Sequence, residues 1–143
     1  MILLLPLSFA SNFFYSYQGA FAFVLFDPST RALGGILSGL GSIFGAAILG
    51  FILDIKVLRR KQRAFLGLAI GFTASVIIGS CGLAYQLTFT RATVFSPQFN
   101  YKDTSSAFRK PIALLFFYYV VDAFVQSLAY WTMGSLTNDR ELM

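Results

Sequence analysis

The segment GFILDIKVLRRKQR, from Gly50 to Arg63, is the one dense block of charge in an otherwise apolar sequence. It carries five of the chain's 11 lysine and arginine residues and a single acid, Asp54. Long apolar runs lie on both sides of it. Because basic connections between membrane-spanning helices stay in the cytoplasm, the segment predicts a cytoplasmic loop over 54–63 between two spans.

The composition also indicates a membrane protein. The 143 residues are 57% hydrophobic and 12% charged, and the mean hydropathy is +0.70. Soluble domains carry about 25% charged residues, so half that fraction points to lipid as the surrounding solvent. The net charge of +5 lies mostly in one short segment, whereas nucleic-acid binding needs a basic face on a fold. We expect the lipid bilayer and other transmembrane helices as partners, and no nucleic acid.

Four apolar runs are each long enough to cross a bilayer as a helix, which takes about 20 residues. They predict an all-α, polytopic membrane protein with one domain over 1–143. A signal peptide is the alternative for the first run, but that run has no basic start and stays apolar to Phe26. The predicted helices lie at about 1–26, 32–53, 64–87 and 111–136.

The distribution of charge predicts which side each connection faces. The loop 54–63 has a net charge of +4 in ten residues, and the longer loop 88–110 has +3. The denser and shorter loop normally dominates orientation. We therefore expect both termini in the cytoplasm, with the turn 27–31 and the loop 88–110 outside.

Most catalytic chemistry is excluded by residue type. The chain has no histidine and one cysteine, Cys81, which lies within an apolar run. Histidine-dependent triads, histidine-ligated zinc and disulfide frameworks are therefore impossible. We expect no enzyme, no metal and no cofactor, and we interpret Cys81 as a small packing residue.

Polar side chains recur on one face of the first and fourth predicted helices. Interhelical hydrogen bonding and the lining of a cavity are both open explanations. Asp122 is the one charge deep in an apolar run, and it could bind a proton, a cation or a substrate, or serve as a structural hydrogen-bond partner. The candidate transport-path residues are Asn12, Tyr15 and Gln18 in the first helix and Tyr119, Asp122, Gln126 and Tyr130 in the fourth.

Small residues recur at every fourth position in the second and third runs. Such ladders let helix backbones approach closely in lipid, where the hydrophobic effect does not hold helices together. The pattern predicts tight packing of both helices without identifying the surface that either one contacts. The ladders are Gly34, Ser38, Ser42, Ala46 and Gly50, with Gly35, Gly39, Gly41 and Gly45 beside them, and Gly67, Gly71, Ser75 and Gly79.

Gly50-x-x-x-Asp54 followed by Arg59-Arg60-Lys61 resembles the loop signature of the major facilitator superfamily, although Val57 and Leu58 stand where the family often has a glycine. The resemblance implies a cytoplasmic latch of Gly50, Asp54, Arg59 and Arg60, in which the acid engages a helix from another part of the protein. Asp54 itself lies at a helix C-terminus, where an anion is disfavoured, so a positive partner is needed. That partner could be Arg59, Arg60 or the N-terminus of another helix.

The two ends of the chain carry a more specific resemblance. LPLSFASNFFYSYQ (5–18) and YVVDAFVQSLAYWTMGSLTND (119–139) are similar to fungal members of the uncoordinated-family, ion-channel-regulator-like branch of that superfamily. The resemblance implies a partial major-facilitator bundle equivalent to helices seven to ten of twelve. It further implies a transporter of unknown substrate that is not competent alone. The alternative is a non-transporting regulator or scaffold for another membrane protein or channel.

Overall fold

A computed structural model describes residues 4–89, 98–102 and 106–137. These residues form four helices, so the all-α prediction is confirmed. The first three residues of the predicted helix 1–26, parts of the predicted loop 88–110 and residues 138–143 lie outside the described residues. The helices are α1 (Leu4–Leu25), α2 (Pro28–Leu53), α3 (Arg60–Gln86) and α4 (Ser106–Thr137).

Three of these helices are long and apolar enough to cross a membrane: α2, α3 and the Phe108–Ser135 part of α4. α1 is not among them, although its 22 residues would be long enough to cross. Polar residues such as Asn12 and Gln18 interrupt its apolar character. The membrane prediction is therefore confirmed through the last three helices.

Most of the turn predicted at 27–31 belongs to α2. Asp27 is the N-cap of this helix, and its Oδ1 accepts a 2.8 Å hydrogen bond from the backbone N–H of Thr30. Pro28 occupies the first helical position, where its missing N–H costs nothing and its fixed φ suits a helix. These local signals start the helix ahead of its apolar run.

The basic loop is likewise shorter than the predicted 54–63. The backbone N–H of Arg59 donates a 2.9 Å hydrogen bond to Oε1 of Gln62, and α3 begins at Arg60. A side chain that pairs with an N-terminal amide satisfies a donor that the helix itself leaves unpaired. Part of the basic block is therefore the first turn of α3, and the connection is 54–59.

Pro111 lies inside α4, not in its first turn as the sequence predicted. Proline lacks the N–H for one helical hydrogen bond and disfavours helical geometry in the preceding residue. Here tertiary packing overrides that preference. Phe108, one turn earlier, is buried edge-to-face against Phe26, with ring centroids 6.0 Å apart.

α4 is the helix on which α1, α2 and α3 all pack. A Cβ atom at Gly41 of α2 would lie 2.7 Å from Tyr119 Cβ, and one at Gly45 would overlap the backbone oxygen of Val120. Only glycine allows these two backbones so close together. Two of the small residues of α2 thus set its distance from α4.

Two ladder glycines of α3, Gly67 and Gly71, also face α4, but they meet its side chains. A Cβ at Gly67 would lie 3.2 Å from a methyl group of Leu128, and one at Gly71 would lie 3.1 Å from the ring of Phe124. The two small-residue helices therefore use their glycines to approach a common partner, α4, which the ladders alone did not identify.

α1 joins α4 through an aromatic cluster. The ring of Tyr118 is fully buried and lies edge-to-face against Phe14, Tyr17 and Phe21, with centroid distances of 5.5, 5.7 and 5.8 Å. Such pairs contribute about 0.5–1.5 kcal/mol each beyond their burial. The cluster holds α1 at a defined position beside α4.

Candidate functional site

A groove of about 380 Å³ opens between α1, α2 and α4. It brings together six of the seven predicted transport-path residues. Asn12 is the exception, because it is exposed and does not line the groove. The lining residues are Tyr15 and Gln18 from α1, Ser38, Ser42 and Ala46 from α2, and Tyr119, Asp122, Ala123, Gln126, Ser127 and Tyr130 from α4.

Asp122 is the charged residue of the groove. Its side chain is half-buried, and Nε2 of Gln126, one helical turn later, donates a 3.2 Å hydrogen bond to its Oδ2. A carboxylate near the middle of a bilayer costs about 2.5–3.5 kcal/mol on insertion scales. One neutral hydrogen bond offsets part of that cost and supplies no positive charge.

Gln18 faces the same groove from α1 and is 1% exposed. The amide interacts with the Asp122 carboxylate, but neither its Nε2 nor its Oε1 has a partner at hydrogen-bonding geometry among the described residues. Leaving a buried polar group unpaired costs about 1–3 kcal/mol. Gln18 is therefore a polar side chain that is directed into the groove and is not satisfied there.

Tyrosines lie at different depths of the groove. Tyr15 and Tyr130 are 68% and 67% exposed, so they belong to its open rim, whereas Tyr119 is half-buried. These residues add aromatic surface and hydroxyl groups to one carboxylate and two amides. Such a lining suits a polar or cationic guest.

Sequence reasoning missed the contribution of α2. Ser38, Ser42 and Ala46 are members of the small-residue ladder, which was interpreted as a packing surface. The glycines at 41 and 45 form the contact with α4, and the ladder lies beside it along the groove. The hydroxyl groups of the two serines were the signal that could have separated the two surfaces.

The described residues contain no cluster of three or more histidine, cysteine, aspartate or glutamate side chains that could hold a metal ion. The groove itself offers one carboxylate together with hydroxyls and amides, and none of its described lining residues is a lysine or arginine. This arrangement can bind and orient a guest through charge and hydrogen bonds.

Comparison with known proteins points to one group. The chain is 37% identical over 141 residues to an UNC93-like protein of Schizosaccharomyces pombe, which covers 97% of the chain and 28% of the relative. UNC93-like proteins 1 and 2 of Arabidopsis thaliana are each 31% identical over 144 residues, which is 100% of the chain and 31% of either relative. UNC93-like proteins are homologues of this chain.

The chain thus spans less than a third of the length of these relatives. No family model and no solved structure matches it. The homology agrees with the resemblance noted at the two ends of the sequence, where the candidate groove residues of α1 and α4 lie. It extends to plant proteins as well as to a fungal one.

The predicted latch residues lie around the end of α2 and the start of α3. Asp54 is the exposed C-cap residue of α2, and within the described part of the chain its carboxylate pairs with neither Arg59 nor Arg60. The Arg60 guanidinium instead lies 5.9 Å from the ring centroid of Trp131. A Cβ at Gly50 would meet nothing within 4 Å, so no described neighbour requires a glycine there.

Arg63 is the basic residue that stabilises this loop. Its Nη1 donates a 2.5 Å hydrogen bond to the backbone oxygen of Leu53, and its Nε donates a 2.9 Å hydrogen bond to that of Leu58. A cation at a helix C-terminus pairs with carbonyls that the helix leaves free and is favoured by the helix dipole. The compensation at the end of α2 thus comes from a residue that the loop signature did not single out.

At the other end of α2, the turn is tied to the loop before α4. Phe99 forms backbone hydrogen bonds with Asp27 and Leu25, at 3.1 and 3.0 Å, and Asn100 Nδ2 donates a 2.8 Å bond to Oδ2 of Asp27. Thr30 contributes most to lowering the pKa of Asp27 below its usual 3.8, through its side chain and its backbone N–H. We assign this effect mainly to the backbone bond, because the Thr30 hydroxyl has no partner at hydrogen-bonding geometry.

Proposed function

We propose that this chain is part of a membrane transporter of the major facilitator type, equivalent to helices seven to ten, and that the groove lines its transport path. The observation that carries the proposal is the gathering of a carboxylate, two amides and three tyrosines from α1 and α4 into one groove between apolar helices. Ionisable and polar groups at membrane depth commonly mark substrate or ion pathways. The role is non-enzymatic.

Transport needs more helices than this chain supplies. Substrate sites of such transporters lie near the middle of the membrane between two structural repeats. The UNC93-like relatives are about three times as long as the chain, which is consistent with further helices that close the open side of the groove. We therefore propose those helices as partners; with α1 as a fourth span beside them, the basic loop and both termini lie in the cytoplasm.

A second candidate is a regulator or scaffold that binds another membrane protein. Several glycines support it, because they offer close-packing surface that no described part of this chain uses. A Cβ at Gly35, Gly39 or Gly79 would meet nothing within 4 Å. Either function places further helices against this chain, and the two differ in whether the groove is reached from both sides of the membrane.

Cysteine accessibility separates the two functions without a known substrate. Cys81 is exposed and is the chain's one cysteine, so Cys81→Ser provides a cysteine-free background. Ser42→Cys then places a thiol in the groove, and Ser80→Cys, on the exposed surface of α3, is the matched control. Both are tested in sealed membrane vesicles of either orientation, prepared from cells that express the chain together with the helices proposed as its partners, whose own cysteines are replaced as well.

A transporter alternates access, so we expect a membrane-impermeant thiol reagent to label Ser42→Cys from each side. The Ser80→Cys control should be labelled from neither side, because lipid covers it. Labelling of Ser42→Cys from one side alone, or from neither, would reject the transport proposal and favour the scaffold. Impermeant labelling of a cysteine placed at Val57 tests separately whether the basic loop is cytoplasmic.

A further inference from the structure

Among the residues that the structure describes, the negative charge of the groove has no positive partner. Asp122 supplies the carboxylate, and its hydrogen bond comes from the neutral amide of Gln126. No lysine or arginine is found among the described residues that line the groove. A half-buried carboxylate in an apolar surrounding favours a cation beside it. The chemistry of the site therefore favours a positively charged ligand.

The unpaired amide of Gln18 indicates which class of cation the groove would bind. Its Oε1 is a buried acceptor that is directed into the groove and has no partner among the described residues. A primary ammonium group carries several N–H donors, so one can reach the carboxylate while another reaches this amide oxygen. Ser38 and Ser42 of α2 add hydroxyl groups that can accept further hydrogen bonds.

Aromatic side chains complete the lining. Tyr15, Tyr119 and Tyr130 all border the groove. Tyrosine rings attract cations through their π-electrons and also cover the carbon skeleton of an organic guest. The volume of about 380 Å³ lies within the range of small-molecule sites. An inorganic cation would bind to the oxygen atoms alone, and the aromatic surface would then have no role in binding.

We infer that the groove binds a small organic ammonium ion, with Asp122 as its counter-ion and Gln18 as a second acceptor. The inference rests on the proposed function, because it names the class of substrate that would move along this path. The tyrosines hold the carbon part of the ligand. Gln126 positions the Asp122 carboxylate through its hydrogen bond.

Protection of the groove cysteine from alkylation tests this inference. The Cys81→Ser, Ser42→Cys protein in sealed vesicles is treated with thiol reagent in the presence of 2-phenylethylammonium. Its neutral isostere 2-phenylethanol, sodium ions and potassium ions are tested at equal concentration. We expect the ammonium compound to slow alkylation at least fivefold and the other three to have no effect. Equal protection by 2-phenylethanol, or protection by an inorganic cation alone, would overturn the inference.

Charge relocation shows whether the carboxylate itself recognises the ligand. Removing one member of a desolvated charge pair commonly weakens binding by at least about 30-fold, so Asp122→Asn should abolish protection. The double variant Asp122→Asn, Gln18→Glu has a carboxylate on α1 in place of the one on α4, and it should restore part of the protection. Thr73→Ala, on the exposed face of α3, is the control that should not change protection. Unchanged protection in Asp122→Asn, or no restoration in a folded double variant, would contradict the assignment.

The outcomes also separate this inference from the proposed function. Labelling from both sides without protection by ammonium would retain transport and reject the ammonium ligand. Protection by ammonium with labelling from one side alone would retain the binding site and reject transport.

Discussion

The contact between α2 and α4 offers the sharpest test of the packing, through Gly45→Ala. The added Cβ would overlap the backbone oxygen of Val120 and lie 3.0 Å from the backbone nitrogen of Phe124. These are backbone atoms, so no side-chain rotation can relieve the clash, and the helices must separate. Overpacking of this kind costs about 1–3 kcal/mol. At a tenfold change per 1.4 kcal/mol, a value of about 2 kcal/mol lowers the folded-to-unfolded ratio roughly 30-fold.

Gly39→Ala is the matched control in the same helix, because a Cβ there would meet nothing within 4 Å. The two variants are folded in detergent micelles and are then unfolded by titration with sodium dodecyl sulfate. Fluorescence of Trp131, the single tryptophan, reports on the end of α4 beside Arg60. We expect the unfolding midpoint of Gly45→Ala to fall clearly and that of Gly39→Ala to stay at the wild-type value. Equal midpoints for the two variants would refute the close approach of α2 to α4.

Three further predictions use other parts of the fold. Asp27 has a lowered pKa, so its charged form stabilises the fold above pH 3.8, and this contribution is lost as the pH falls further. In Asp27→Ala the free energy of unfolding, followed by circular dichroism, should therefore fall less steeply as the pH is lowered below 3.8. Gly82→Ala places a Cβ against the hydroxyl of Tyr118, so it should destabilise by about 1–3 kcal/mol, and adding Tyr118→Phe should restore part of the loss in a double-mutant cycle. Arg63→Met removes the hydrogen bonds to the backbone oxygens of Leu53, at the end of α2, and of Leu58, in the connection that follows. It should lower the free energy of unfolding in detergent by about 1 kcal/mol, and an unchanged unfolding midpoint would argue against this cap.

Sequence periodicity predicted which residues share a helix face, because an α-helix places residues three, four and seven apart on one side. That rule grouped Tyr119, Asp122 and Gln126, and the structure keeps them together in the groove. It also brought Gln18 and Tyr15 to one face of α1. Periodicity cannot say which faces meet, so Asn12 was included although it lies away from the groove.

Helix ends were less predictable than helix existence. Apolar length identified the membrane runs, but α2 and α3 each begin earlier than their apolar character does, directly after the N-cap residues Asp27 and Arg59. Their starts depend on individual hydrogen bonds to backbone amides. The helical turn before Pro111 depends on burial of Phe108 against a residue 82 positions earlier, Phe26. No local signal contains that contact.

The sequence by itself determined an all-α membrane chain, because an apolar run must satisfy its backbone hydrogen bonds internally in lipid. Its charge pattern also identified the basic connection between α2 and α3. The tertiary structure decided that α4 is the common partner and that Gly41 and Gly45 let the backbone of α2 pack closely on it. It further decided that Ser38 and Ser42 line the groove and that Arg63 pairs with the end of α2. These outcomes depend on the distance and rotation between helices, which no single helix encodes.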